Sequence, residues 1–154
     1  MATTFNQQTQ RGSRFFDEII QSPGLLGLWM LNEQTGSIAY DRCLSSEPGN
    51  GSVTGGSIAR GTQIISCYGM DFSAAGAGYI DLGNLSKLNF ERSNTFSIAA
   101  LVRLNDMSTD TTILSKVDGS NRGFTFFLDK TGPHGYLRLR LTNTTTTNEL
   151  DVRT

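Results

Sequence analysis

Strict period-two alternation, repeated three times between turn signals across residues 95–129, narrows most what this chain can fold into. Over residues 95–104, Phe96, Ile98, Ala100, Val102 and Leu104 alternate with Ser97, Ala99, Leu101 and Arg103. Side chains two apart share one face of a strand, so the first set is expected to face a core. Residues 105–110 are polar, residues 112–116 form a second extended run, and residues 118–123 (DGSNRG) make a turn of residues that tolerate positive φ. Phe124, Phe126 and Leu128 mark a third strand. Nothing here has helical spacing, and the whole reads as consecutive strands of one sheet system.

The rest of the chain extends that pattern. Residues 1–12 are polar and aperiodic and read as a mobile or partner-dependent arm. Ser13 can cap a short helix with Phe15, Phe16, Ile19 and Ile20 on one stripe, ended by Pro23-Gly24. Residues 25–31 (LLGLWML) are apolar on both faces, as in a covered strand, and the single tryptophan, Trp29, sits within them. That context favours a core role for the indole over a sugar-stacking one. Residues 37–41 form a short strand with Ile38 and Tyr40 on one side, and residues 42–61 read as a glycine-rich loop. Strand character returns at 63–72, at 79–83, and at 136–141 (YLRLRL), where Leu137, Leu139 and Leu141 oppose Arg138 and Arg140. Residues 84–94 are expected to hold one irregular turn, and residues 149–154 begin another strand.

Seventeen glycines against three prolines suit short strands joined by many turns rather than a helix bundle. A formal charge of −1 offers no field that draws nucleic acid or anionic lipid, so neither is an expected partner. No apolar run approaches the roughly 20 residues that span a bilayer, and the first residues lack the apolar segment of a secretory signal. Cys43 and Cys67 fit no zinc or redox spacing, and two free thiols are favoured over a disulfide.

Residues 28–41 (LWMLNEQTGSIAYD) resemble the opening motif of laminin-G-like, concanavalin A-like jelly-roll domains. Residues 69–84 (GMDFSAAGAGYIDLGN) are similar to the family's Phe-Asp-Gly segment and the Tyr-Ile-x-Leu strand after it. Residues 95–106 resemble its phe-ser-ile-x-ala-trp-val strand, with Leu101 where the family has tryptophan, and TILSK and GFTFFLD resemble the next two strands. The resemblance covers residues 29 to about 141. It implies an all-β fold, an antiparallel β-sandwich over residues 23–154, preceded by the arm and short helix of residues 1–22. The family's later strands do not follow. The implied sheets are therefore expected to be finished by a longer chain or by other protein subunits, because open apolar edges invite association.

The resemblance also frames the candidate sites. Relatives that are glucanases carry Glu-x-Asp-x-x-Glu, which is absent here, and His134 sits in a Gly-Pro-His-Gly turn with no nucleophile signature beside it. No enzymatic activity is expected. Many relatives hold calcium after the Ala-Tyr-Asp motif, which points to Asp41 and Asn50 as its ligands here; no other cofactor is implied. Glycan binding is the family's common role and needs an aromatic platform beside amide, carboxylate or guanidinium groups. Tyr79 with Asp81, and Tyr136 with Arg138 and Arg140, each share a strand face that reads either as such a site or as a solvated outer sheet face. Asn50, Asn84 and Asn143 head glycosylation triplets of the kind that arise by chance in a chain so rich in Asn, Ser and Thr. The expected function is that of a non-enzymatic, lectin-like attachment or particle-building protein at a virion surface, such as a phage head-decoration or tail component. The alternative is an extracellular carbohydrate-binding module of a larger secreted enzyme or adhesin.

Overall fold

A computed structural model describes residues 17–55, 59–64, 67–72, 78–90, 93–104, 108–120, 122–131, 135–143 and 149–153. The expected arm, the Ser13 cap and His134 lie outside them. The fold class is all-β, of the antiparallel β-sandwich class, in open sheets not closed into a barrel; residues 17–20 are helical. Among the described residues no helix is long and apolar enough to cross a membrane. The chain divides into two compact units, Met1–Leu85 and Ser86–Thr154.

In the first unit, strands β1 (Ile38–Ala39), β2 (Gly51–Thr54) and β5 (Tyr79–Asp81) form an antiparallel sheet in the order β1-β2-β5. Strands β3 (Ala59–Ile64) and β4 (Cys67–Asp71) make a separate two-stranded ladder. Gly51 is a glycine for a packing reason. A Cβ there would run into the Ile80 side chain and come within 2.7 Å of Leu82, so the inner side of the sheet closes only over a bare backbone. Trp29 packs beside this sheet. It bridges to Asp41, and its indole Nε1–H donates to the Gly49 carbonyl at 2.7 Å. Cys43 is a free thiol whose S–H donates to the Leu25 carbonyl at 3.0 Å.

The second unit is a meander of β6 (Thr111–Val117), β7 (Gly123–Asp129), β8 (Tyr136–Thr142) and β9 (Glu149–Arg153), paired in chain order. Its register sets Phe124 opposite Leu141, Phe126 opposite Leu139 and Leu128 opposite Leu137, which gathers the apolar parity on one face. Phe124, 2% exposed, is the centre of that face; the rings of Phe90 and Phe96 stack on each other at 4.3 Å and tilt against it at 5.3 and 6.3 Å. A 3-10 turn at Ser86–Leu88, the irregular turn expected over 84–94, brings Leu88 into burial just before Phe90. The β6–β7 turn closes with Gly123 at φ 135°, a position where a Cβ would strike the Lys116 carbonyl.

Three expectations about elements are corrected. Residues 25–31 are not a covered strand: their one ladder contact is the Trp29 bridge, and Leu26 is exposed. Residues 42–61 are not a continuous loop, because Gly51–Thr54 is the middle strand of a sheet and β3 begins at Ala59. Residues 95–104 belong to no sheet. Phe96 and Ile98 are half-buried, whereas Leu101 is 65% exposed and Val102 and Leu104 are exposed too. Alternation states which side chains can share a face, but not which edge will supply the backbone partners.

Candidate functional site

The two sides of the β1-β2-β5 sheet carry different chemistry because side chains alternate along each strand. Inward lie Ala39, Gly51, Val53 and Ile80, buried or half-buried. Outward lie Ile38, Ser52, Thr54, Tyr79 and Asp81, all exposed. The register pairs Ile38 with Ser52, Ser52 with Asp81, and Thr54 with Tyr79, so these side chains form adjoining rows on one surface. A hydrogen bond from the Val53 N–H to the Ser37 carbonyl, 2.8 Å, fastens the far end of the β1–β2 pair.

Beyond β1 the alternation continues. Tyr40 and Arg42 are exposed, as Ile38 is, while Asp41 between them is half-buried. The Arg42 guanidinium lies over the Tyr40 ring, 5.5 Å from its centroid, and the Tyr40 N–H donates to Glu33 Oε1 at 3.0 Å. Tyr79 is 54% and Tyr40 43% exposed, which leaves ring surface for a ligand. Asp81 is oriented by its own backbone, Oδ1 accepting the Gly83 N–H at 2.8 Å. The surface thus offers two tyrosine platforms, two hydroxyls and a carboxylate, all on strands except Tyr40, which lies just past the end of β1. An aromatic ring meets the C–H face of a sugar, and the polar groups meet its hydroxyls.

Of the residues singled out by sequence, Tyr79 and Asp81 fall on this surface. The Tyr136, Arg138 and Arg140 set lies on the second unit's sheet and is differently disposed. Tyr136 is exposed at the start of β8, but the Arg138 side chain is only 13% exposed. Its guanidinium binds Asp129 Oδ2 at 2.5 Å and both carboxylate oxygens of Asp151, and it lies over the Phe127 ring, as Arg140 does, at 5.6 Å. Arg153 reaches Asp151 as well, at 3.2 Å. The hydrogen bonds that Arg138 donates to Asp151, and then to Asp129, strengthen its hold on its proton against the opposing effect of burial. Arg138 is thereby committed to tying β7, β8 and β9 together.

Asp41 and Asn50 are also brought together, as donor and acceptor. The Asn50 amide oxygen accepts the Asp41 N–H at 2.9 Å. The Asp41 carboxylate accepts the N–H groups of Leu28 and Cys43 at 2.9 Å and of Gly49 at 3.1 Å. Calcium takes about six to eight oxygens, and N–H dipoles already aimed at this carboxylate oppose a cation. The donor set therefore does not fit the ion, and no group of three His, Cys, Asp or Glu side chains gathers elsewhere among the described residues.

Tyr40, Ser52 and Thr54 escaped the sequence reading of the site. Tyr40 was legible as a face-mate of Ile38, and the Ser52-Val53-Thr54 alternation was the faint signal of β2 within an apparent loop. No protein-family model matches the chain, and no curated protein or solved structure is significantly similar to it.

Proposed function

We propose that this chain is a non-enzymatic, lectin-like attachment module that binds glycans on the outward face of the β1-β2-β5 sheet. The observation that carries the reading is the pairing of Thr54 with Tyr79 and of Ser52 with Asp81, which sets an exposed ring beside hydroxyls and a carboxylate. Its inward side is packed around Gly51, so the surface is held in place before any ligand arrives and little ordering entropy opposes binding. A laminin-G-like sandwich, as the sequence motifs suggest, would present such a face in the same manner. The setting belongs to the proposal too. We place the module on a virion surface, among protein neighbours that add strands at the 95–104 segment, which belongs to no sheet, and at the edge strands β6 and β9.

A glycan array probed with the purified chain tests the binding role. Binding to a defined group of glycans, lost in Tyr79→Ala and weakened in Asp81→Asn, is the expected result. Equal signals from the chain and from both variants, or no signal on any glycan, would remove the reading.

A further inference from the structure

The two tyrosines of the outward face lie at opposite corners of it. Tyr79 on β5 pairs with Thr54 on β2, whereas Tyr40 lies one step past Ile38, whose partner on β2 is Ser52. The β1–β2 ladder ends with Ala39 opposite Gly51; one residue past that end, Tyr40 is two strands across from Tyr79 and about four residues along. At about 4.8 Å between strands and about 3.4 Å per residue, the corners are about 17 Å apart, roughly three to four sugar rings in line and beyond the reach of one. Between them lie Ile38, Ser52, Thr54 and Asp81, which make a path of apolar, hydroxyl and carboxylate surface. Both signs occur along that path, with Arg42 and Glu33 beside Tyr40 at one end and Asp81 beside Tyr79 at the other. A glycan of uniform repeating charge would gain at one end and lose at the other.

Resting on the glycan-binding reading above, we infer that the ligand is a linear, neutral oligosaccharide bound along the diagonal from Tyr79 to Tyr40, not a single terminal sugar. Tyr79 and Asp81 hold one end. Tyr40, its ring backed by Arg42, holds the other and senses chain length.

The test uses neutral and uniformly anionic glycans printed as length series from one to six units, bound by the chain and by its Tyr40→Ala and Tyr79→Ala variants. Thermal unfolding is recorded for all three, and both tyrosines are exposed enough to be removed without loss of the fold. The expected result is affinity that climbs with length in a neutral series and levels off near four units. Tyr40→Ala should lower affinity for the long chains by roughly five- to tenfold and leave the shortest ones unchanged. Tyr79→Ala should weaken every length. A single sugar bound as tightly as the longest chain, a Tyr40→Ala variant with unaltered length dependence, or preference for the anionic series would overturn the inference while glycan binding itself stood. Silence across the whole array would instead overturn the glycan-binding reading.

Discussion

The indole nitrogen of Trp29 donates a hydrogen bond to the carbonyl of Gly49, 2.7 Å away and twenty residues later in the chain. The bond joins the apolar 25–31 stretch to the residues that lead into β2. Trp29→Phe keeps most of the ring but leaves a half-buried carbonyl without this donor. It is expected to lower stability by about 1–3 kcal/mol, read from the midpoint of urea unfolding. Trp29 is the single tryptophan, so its fluorescence follows unfolding of the wild type as one local probe.

Gly51 and Ser52 are neighbours on β2 with opposite outlooks, Gly51 buried and Ser52 exposed. Gly51→Ala forces a methyl against Ile80 and Leu82, with an expected cost of about 1–3 kcal/mol. Because Ile80 lies between Tyr79 and Asp81, the same variant should also weaken glycan binding. Ser52→Ala should stay within about 0.5 kcal/mol of wild type. Calorimetry of the two variants separates strand packing from surface chemistry.

Acid should unfold the chain in a defined window. The Arg122 side chain, then the N–H groups of Arg122 and Ser120, hold Asp118 down to about 2. Hydrogen bonds from Arg138 and then Arg153, opposed by burial, hold Asp151 down to about 2; Asp129 is lowered chiefly by the Thr131 N–H and then by Arg138. Each carboxyl binds its proton more weakly in the folded chain than in the unfolded one. The stability they confer is complete above the ordinary carboxyl value of 3.8 and is lost as pH falls from there toward 2. Melting temperature should hold from pH 7 to about 5 and drop between about 4 and 2. An Asp118→Asn, Asp151→Asn double variant should show a shallower drop from a lower start.

The two arginine–aspartate pairs should rank unequally. Arg122 and Asp118 are exposed at the β6–β7 turn, with side-chain exposures of 53% and 40%, where water and salt screen the attraction. Arg138 is largely covered and serves carboxylates on two strands. Arg138→Ala should therefore lower the melting temperature more than Arg122→Ala, and 0.5 M salt should erase more of the Arg122 effect than of the Arg138 effect.

The apolar exposure of residues 101–104 predicts self-association. Leu101, Val102 and Leu104 are exposed in a segment that belongs to no sheet. Sedimentation of the wild type should show species heavier than one chain, and Leu101→Lys with Val102→Lys should shift them toward the monomer. A wild type that sediments as a monomer at every concentration would remove the neighbour-completed sheets from the proposal.

Alternating segments with an apolar parity on each side of a turn were legible. Phe124, Phe126 and Leu128, and Leu137, Leu139 and Leu141, each read as one face of a strand, and β5 and β9 are where the spacing puts them. Gly51–Thr54 was hidden because one of its two inward residues is a glycine, which carries no hydrophobic signal, although packing demands it there. In β6 the register shifts between Thr112 and Leu114, so strict alternation cannot assign its faces. Two of the five groups on the candidate surface, Tyr79 and Asp81, were visible as one strand's parity. Joining them to the other three depended on which strands lie side by side, a long-range fact that no local spacing contains. Arg138 misled for a related reason, since its partner Asp151 is thirteen residues away.

β2 and β5 are neighbours in the sheet although residues 55–78 separate them in the chain, and that interval carries the β3–β4 ladder as a unit of its own. The interval therefore works as a cassette. Its two ends are pinned by Thr54 against Tyr79 and its buried Gly69 and Met70 are part of the packing, so exchange at the exposed Tyr68 and Phe72 leaves the outward face its rows. An epitope or a reporter peptide grafted there would ride on the module as a passenger, and natural drift in the interval would diversify what the molecule displays without rewriting what it holds.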